Sequence, residues 1–164
     1  LMSASFRGYQ AIIQMLLDHG VDVNIQDLRQ KFAALMCAAQ NGHWKVVKML
    51  LDYGANVDVY GSRGQSALML ALSFGIKADD IEYRHKKVIK VLLDHGANVN
   101  TRYENGDTAL IFIVANGCED VAQQLLEHGA DRYSKNRSLM IAVEQGNDTI
   151  VELLVRHGAE VNTK

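Results

Sequence analysis

A pair of residues able to do acid–base chemistry recurs along this chain. Asp18–His19 ends the stretch LLDHG, Asp94–His95 ends an identical stretch, and Glu127–His128 ends LLEHG. Arg156–His157 stands in the looser LVRHG, and LLDYG places Tyr53 after Asp52. A carboxylate that orients an imidazole is half of a general acid–base site; the other half is a nucleophile or a pocket for the reacting group. No such partner accompanies the pair. The chain has no glycine-rich phosphate loop, no HExxH and no nucleophile elbow. Catalysis is not expected from these residues, nor is a cofactor or a metal. The other reading is punctuation: a glycine follows each pair, as at a helix end where a left-handed residue stops the helix and a histidine sits near the negative end of the dipole.

Spacing favours punctuation. Gly20, Gly54, Gly96, Gly129 and Gly158 are separated by 34, 42, 33 and 29 residues, and a period near 33 marks a stacked repeat. Gly8, Gly42, Gly117 and Gly146 each lie 12 residues before one of them. In the third unit Gly75 lies 21 residues before Gly96, and the nine extra residues fit the charged stretch IKADDIEYR at 76–84. Each interval reads as a helix with one apolar face: Val46, Val47, Met49, Leu50 and Leu51 in the second unit, Ile12, Ile13, Met15, Leu16 and Leu17 in the first. Ahead of each internal glycine lies a second short helical pattern, such as ALMCAAQNG or ALIFIVANG. After each terminal glycine an extended polar segment leads to a turn such as GSRGQ or YENGD. Proline is absent, so glycine must do the breaking. One such unit has too little core to fold alone, and stacking buries the shared faces.

Composition narrows the partners. With 17 basic and 19 acidic residues the net charge is −2, which excludes a general polyanion-binding field, so nucleic acid is not expected. Cys37 and Cys118 lie 81 positions apart with no CxxC, which fits free thiols in a reducing, intracellular (cytoplasmic or nuclear) compartment. No apolar run reaches the length of a membrane span, and no signal peptide opens the chain.

The segments GQSALMLALSFG and NGDTALIFIVANG, joined to LLDHGANVN and LLEHGAD, resemble the ankyrin-repeat family. Its pattern runs roughly G-x-T-P-L-H-x-A-A-x-x-G-H, then an I-V-x-L-L helix, then G-A-D-x-N. The resemblance covers nearly the entire chain as units at 1–31, 32–64, 65–106, 107–135 and 136–164. It implies an all-α solenoid of five helix-turn-helix units with protruding hairpin-like loops. Leu1, Leu35, Leu68, Leu110 and Leu139 match the family leucine. Met2, Met36, Met69, Ile111 and Met140 stand where the family has histidine, exchanging a loop hydrogen bond for packing. Ala34, Ala67, Ala109 and Ser138 replace the family proline. Between Gly129 and Leu139 there are 10 positions against 14 between Gly54 and Leu68, so the last loop should be a stunted hairpin. Neither end carries a polar capping variant, as expected of an excerpt from a longer array.

The resemblance implies a non-catalytic module, monomeric, that binds a partner protein or peptide through its concave face and loop tips. An inhibitor or immunity-type protein that blocks a partner enzyme is the alternative, as is the targeting array of a larger enzyme or bacterial effector. The family's free pairs before each internal glycine are here Phe6–Arg7, Gln40–Asn41, Ser73–Phe74, Ala115–Asn116 and Glu144–Gln145. Phe6 and Phe74 either anchor a partner or tuck under the neighbouring loop, and the sequence leaves both open. Tyr60 with Arg63, and Arg102 with Tyr103, put aromatic and basic groups on the loop tips. Cys37, Leu70, Phe112 and Ile141 form a stripe better read as packing, and Trp44 as partly buried. Asn24, Asn100 and Asn162 match a position that is hydroxylated in some family members; the favoured reading is an asparagine bonding its own turn. The 76–84 insertion reads as a solvated loop or an early helix start with Ile81 on the core, and otherwise as a docking site with Tyr83 as anchor.

Overall fold

The computed structural model describes residues 1–77, 80–81 and 83–160, with the backbone alone at 77, 80 and 81. Ala78, Asp79 and Glu82 of the insertion, the side chain of Ile81, and Asn162 therefore lie outside the described residues. The chain resolves into two compact units, one of Leu1–Ile76 with Ile81–Asn98, the other of Lys77–Asp80 with Val99–Lys164.

The first unit holds α1 (Met2–Arg7), α2 (Gln10–Asp18), α3 (Ala34–Gln40), α4 (Trp44–Asp52), α5 (Ala67–Gly75) and α6 (Tyr83–Asp94). α1, α3 and α5 pack side by side as one layer, α2, α4 and α6 as another, and consecutive helices pair across the layers. The second unit repeats this arrangement with α7 (Ala109–Ala115), α8 (Glu119–Glu127), α9 (Arg132–Gln145) and α10 (Asp148–Arg156). Apart from isolated bridges and a short ribbon of β1 (Ile76–Lys77) and β2 (Asp80–Ile81), the regular structure of the described residues is helical. Among those residues no helix is long and apolar enough to cross a membrane.

Glycine punctuates as its spacing predicts. Gly8, Gly20, Gly42, Gly54, Gly96, Gly117, Gly129, Gly146 and Gly158 all have φ between 65 and 87°, a left-handed conformation that costs residues with a Cβ about 1–2 kcal/mol. Gly75 is the departure: α5 runs through it into β1 without a left-handed residue. α6 then starts at Tyr83 and is three residues longer than α2 or α4.

The core lies between the two layers. Leu35, Leu68 and Leu110 are buried, as are Leu50, Leu92 and Leu125 of the second helices. Met36, Met69 and Ile111 are buried where the family has histidine, whereas Met140 is 51% exposed. The apolar face of α2 is only half covered: Ile13 and Leu17 are buried, but Ile12 and Met15 are exposed.

Three fingers link successive helix pairs, each closed by an antiparallel bridge: Gln26 with Ala33, Tyr60 with Ser66, and Arg102 with Thr108. The fourth connection corrects the sequence reading. Instead of a stunted hairpin, the chain enters α9 directly after Asp131, whose side chain accepts a hydrogen bond from the Ser134 amide at 2.7 Å. The two turns of helix occupy the place of the finger. No residue between Gly129 and Gly146 has a positive φ, whereas Lys31, Gly64 and Gly106 supply one in the fingers; an N-cap aspartate is present, and Ser138 replaces a proline that would break the helix interior.

Candidate functional site

The Asp–His pairs act structurally. Nδ1 of His19 lies 2.7 Å from the Met15 carbonyl, and His95, His128 and His157 repeat this with Val91, Gln124 and Leu153 at 2.7, 2.8 and 2.9 Å. A carbonyl can only accept, so in each case Nδ1–H donates to the last turn of the helix. Asp18 does not orient His19; it accepts from the Tyr53 hydroxyl and from the Gln14 amide, both at 2.7 Å. The Tyr53 bond, then the Gln14 bond, lower the Asp18 pKa, and the same carboxylate raises that of the Tyr53 phenol. Asp52 is likewise held low, first by its bond from Lys48 and further by His95, whose Nε2 is 3.9 Å away. The LLDHG ends thus link successive second helices.

The loop asparagines also bridge repeats. Asn24 was expected to bond its own turn; instead its Nδ2 donates to the Gly54 carbonyl at 3.1 Å and its Oδ1 accepts from the Asn56 amide at 2.8 Å. Asn100 does the same with Gly129 and Asp131. Asp58 accepts from the Asn98 amide, and Asn136 from that of Glu160. Each satisfies backbone groups of the next loop, which explains the exchange of Asn for Asp at this place.

In the first unit the fingers and first helices enclose two adjoining recesses. One, about 580 Å³, is lined by Phe6, Arg7 and Gln40 together with Asp27, Phe32 and Cys37. The other, about 440 Å³, is lined by Gln40, Arg63 and Phe74 together with Phe32, Gln65 and Leu70. Gln30, Phe32 and Gln40 border both, so they form one furrow. Phe6 is 46% and Phe74 52% exposed; neither is tucked away under a loop. The fingers over the furrow are joined by the Ser62 amide donating to the Gln30 carbonyl and by Gln26 Nε2 donating to that of Tyr60. Cys37 lies half-buried under the first finger, and burial, with the nearby Asp27 charge, pushes its thiol up to about 11. Cys37 and Cys118 are both free.

Other predicted residues take other positions. Asn41 donates to the Cys37 carbonyl and Asn116 to that of Phe112, each at 2.8 Å, so both finish their helices. Ser73 and Tyr60 are exposed but do not line the furrow. In the second unit the Arg102 guanidinium sits 4.1 Å from the centroid of the Tyr133 ring, and Tyr103 packs on Phe112 at 5.6 Å. Glu144 is exposed. Asp27, Phe32 and Gln65 were not read from the sequence as site residues. Their only signal was position beside the turn, and which side of a finger faces inward depends on the turn geometry.

Two helical layers in each unit, left-handed glycines between and after the paired helices, and fingers bracketed by asparagines define a repeat protein. The chain belongs to the ankyrin-repeat family: the family model described as Ankyrin repeats (3 copies) matches residues 1–103 and 79–164, together spanning the chain. Ankyrin repeats are generally protein–protein interaction modules and typically non-catalytic. No curated protein matches this chain.

Proposed function

We propose that this chain is a non-catalytic recognition module that holds an extended segment of a partner protein in the furrow of its first unit. The observation that carries the reading is the pair of half-exposed phenylalanines, Phe6 and Phe74, at two points of one furrow whose rim bears Arg7 and Arg63. Exposed aromatics flanked by arginine are the side chains that dominate binding energy at interfaces. The furrow holds them between rigid elements, so little ordering entropy is lost on binding.

The test is site-specific crosslinking. A photoreactive phenylalanine analogue at position 74, and separately at Val155 on α10, should give partner adducts only at position 74. Phe6→Ser/Phe74→Ser should abolish capture of the same partner while leaving the thermal melt within a few degrees. Equal crosslinking at position 155, or undiminished capture by the folded double variant, would remove the furrow from the interface.

A further inference from the structure

The opposite edge of the first unit, where first helices turn into second helices, carries a cluster that the furrow does not use. Trp44 opens α4 and Tyr83 opens α6. The Lys87 ammonium lies 5.4 Å from the centroid of the Trp44 ring and 5.3 Å from that of Tyr83, while Lys45 lies 5.7 Å from Trp44. Trp44 is half-buried and Tyr83 is 72% exposed. Beside them is a recess of about 240 Å³, lined by His43, Trp44, Lys45 and Arg84 together with Gly8 and Gly42.

Charge makes this edge unusual. Among the described residues no carboxylate pairs with Lys45 or Lys87, whereas Lys48 and Lys90 on the same helices pair with Asp52 and Asp94. The first turns of α2, α4 and α6 hold no acidic residue, although a helix start favours one. The corresponding starts in the second unit have theirs: Glu119 and Asp120 on α8, Asp148 on α10. Over whole units, the first carries ten Lys/Arg against seven Asp/Glu, the second seven against twelve.

We propose that this edge is a second docking surface, for an acidic peptide segment of a partner protein. Ring faces and ammonium groups divide the work. Lys45 and Lys87 lie over the aromatic faces, which fixes two cations without neutralising them and leaves their outward N–H groups for carboxylates. A nucleobase would have to compete with these ammonium groups for the ring faces, so carboxylates are favoured over an RNA or DNA strand. The patch is also short and set in a chain of net charge −2, unlike a surface that tracks a polyphosphate backbone.

Trp44 is the only tryptophan, so its emission reports on the edge directly. The full chain would be titrated at low salt with a fluorescein-free hexaglutamate peptide, followed by Trp44 emission, and with a labelled one, followed by anisotropy. Saturable changes in both are expected. Lys45→Ala/Lys87→Ala should weaken binding about tenfold, in keeping with the loss of two charge contacts at an exposed surface. Lys45→Arg/Lys87→Arg should retain it. Lys48→Ala/Lys90→Ala removes the same charge from the same helices and should leave affinity within about twofold. Anisotropy without a change in Trp44 emission would place the peptide elsewhere and overturn the proposal. So would equal weakening by the two alanine pairs, or tighter binding of hexathymidylate than of hexaglutamate. Should the alanine pair melt early, Lys87→Gln alone serves, with about a threefold loss expected and an unchanged affinity counting against the site.

Discussion

The third finger and the fourth connection begin from the same kind of sequence and end as different structures. After Gly96 the chain extends, turns at Tyr103–Asp107 with Gly106 at φ 85°, and returns to pair Arg102 with Thr108 before α7 begins. After Gly129 it extends only as far as Asp131 and then coils into α9. In both, a backbone amide just after the glycine is held by the preceding loop: that of Asn98 by Asp58, and that of Asp131 by Asn100. The finger is therefore not a default of the repeat. It forms where a residue takes up a left-handed turn: Gly64 and Gly106 in two fingers, Lys31 at φ 52° in the first. Between Gly129 and Gly146 no residue has a positive φ, and an aspartate cap carries the stretch into helix.

The largest effects test what the two regions share. Leu125 in the second unit, like Leu50 and Leu92 in the first, is fully buried, and alanine at any of the three should lower stability by about 2–5 kcal/mol in denaturant melts. A negligible loss at all three would mean that the helical layers are wrongly faced. Next comes the difference itself. Ser138→Pro falls inside α9 and should cost about 3 kcal/mol, whereas Ala109→Pro falls at the first residue of α7 and should be neutral or slightly stabilising. Equal costs would show that α9 does not run through the finger position. Asp131→Ala removes the cap from the Ser134 amide and should cost about 1 kcal/mol. Asp131→Asn, which can still accept that bond, should recover most of it.

The smallest effect is read in reactivity rather than stability, under the first finger. With its thiol pushed up to about 11 by burial and by Asp27, Cys37 should alkylate on the order of a hundredfold more slowly at pH 8 than an ordinary thiol. Its rate should still be rising above pH 10, because the thiolate becomes the main species only as pH passes the raised value. A rate that levels off near pH 9 would mean that the finger does not cover it.

The helices, their pairing and their ends, the end of α5 and the start of α9 excepted, were legible in the sequence because each depends on a local signal. Left-handed glycines recur at fixed distances, and the leucines of LLDHG repeat a helical face. The roles of the histidines at helix ends could be read in the same way. The fourth connection could be recognised as short, by counting from Gly129 to Leu139. That it becomes helix depends on Asp131 reaching the Ser134 amide and on Ser138 standing where proline would forbid it, a combination with no periodic signature. The site was less legible. Phe6 and Phe74 could be singled out by position, but their exposure depends on which finger side chains lean over them. Phe32 and Asp27 carry no motif, and only the turn geometry brings them inside. The asparagines were recognised as turn residues, while their true partners lie about thirty residues away, beyond any local rule.

The asparagine brackets have a mechanical consequence. Asn24, Asp58 and Asn100 each grip the loop of the following repeat, and the burial they accompany is also between neighbours. Under tension within a unit, no bracket shares its load with one further along. Each should yield by itself, releasing one helix pair before strain reaches the next, so that a pulling trace shows a sawtooth with steps of roughly one repeat rather than a single rupture. Such a chain is a spring with discrete, separately resettable catches, able to lengthen under load and shorten again without losing its remaining folded repeats.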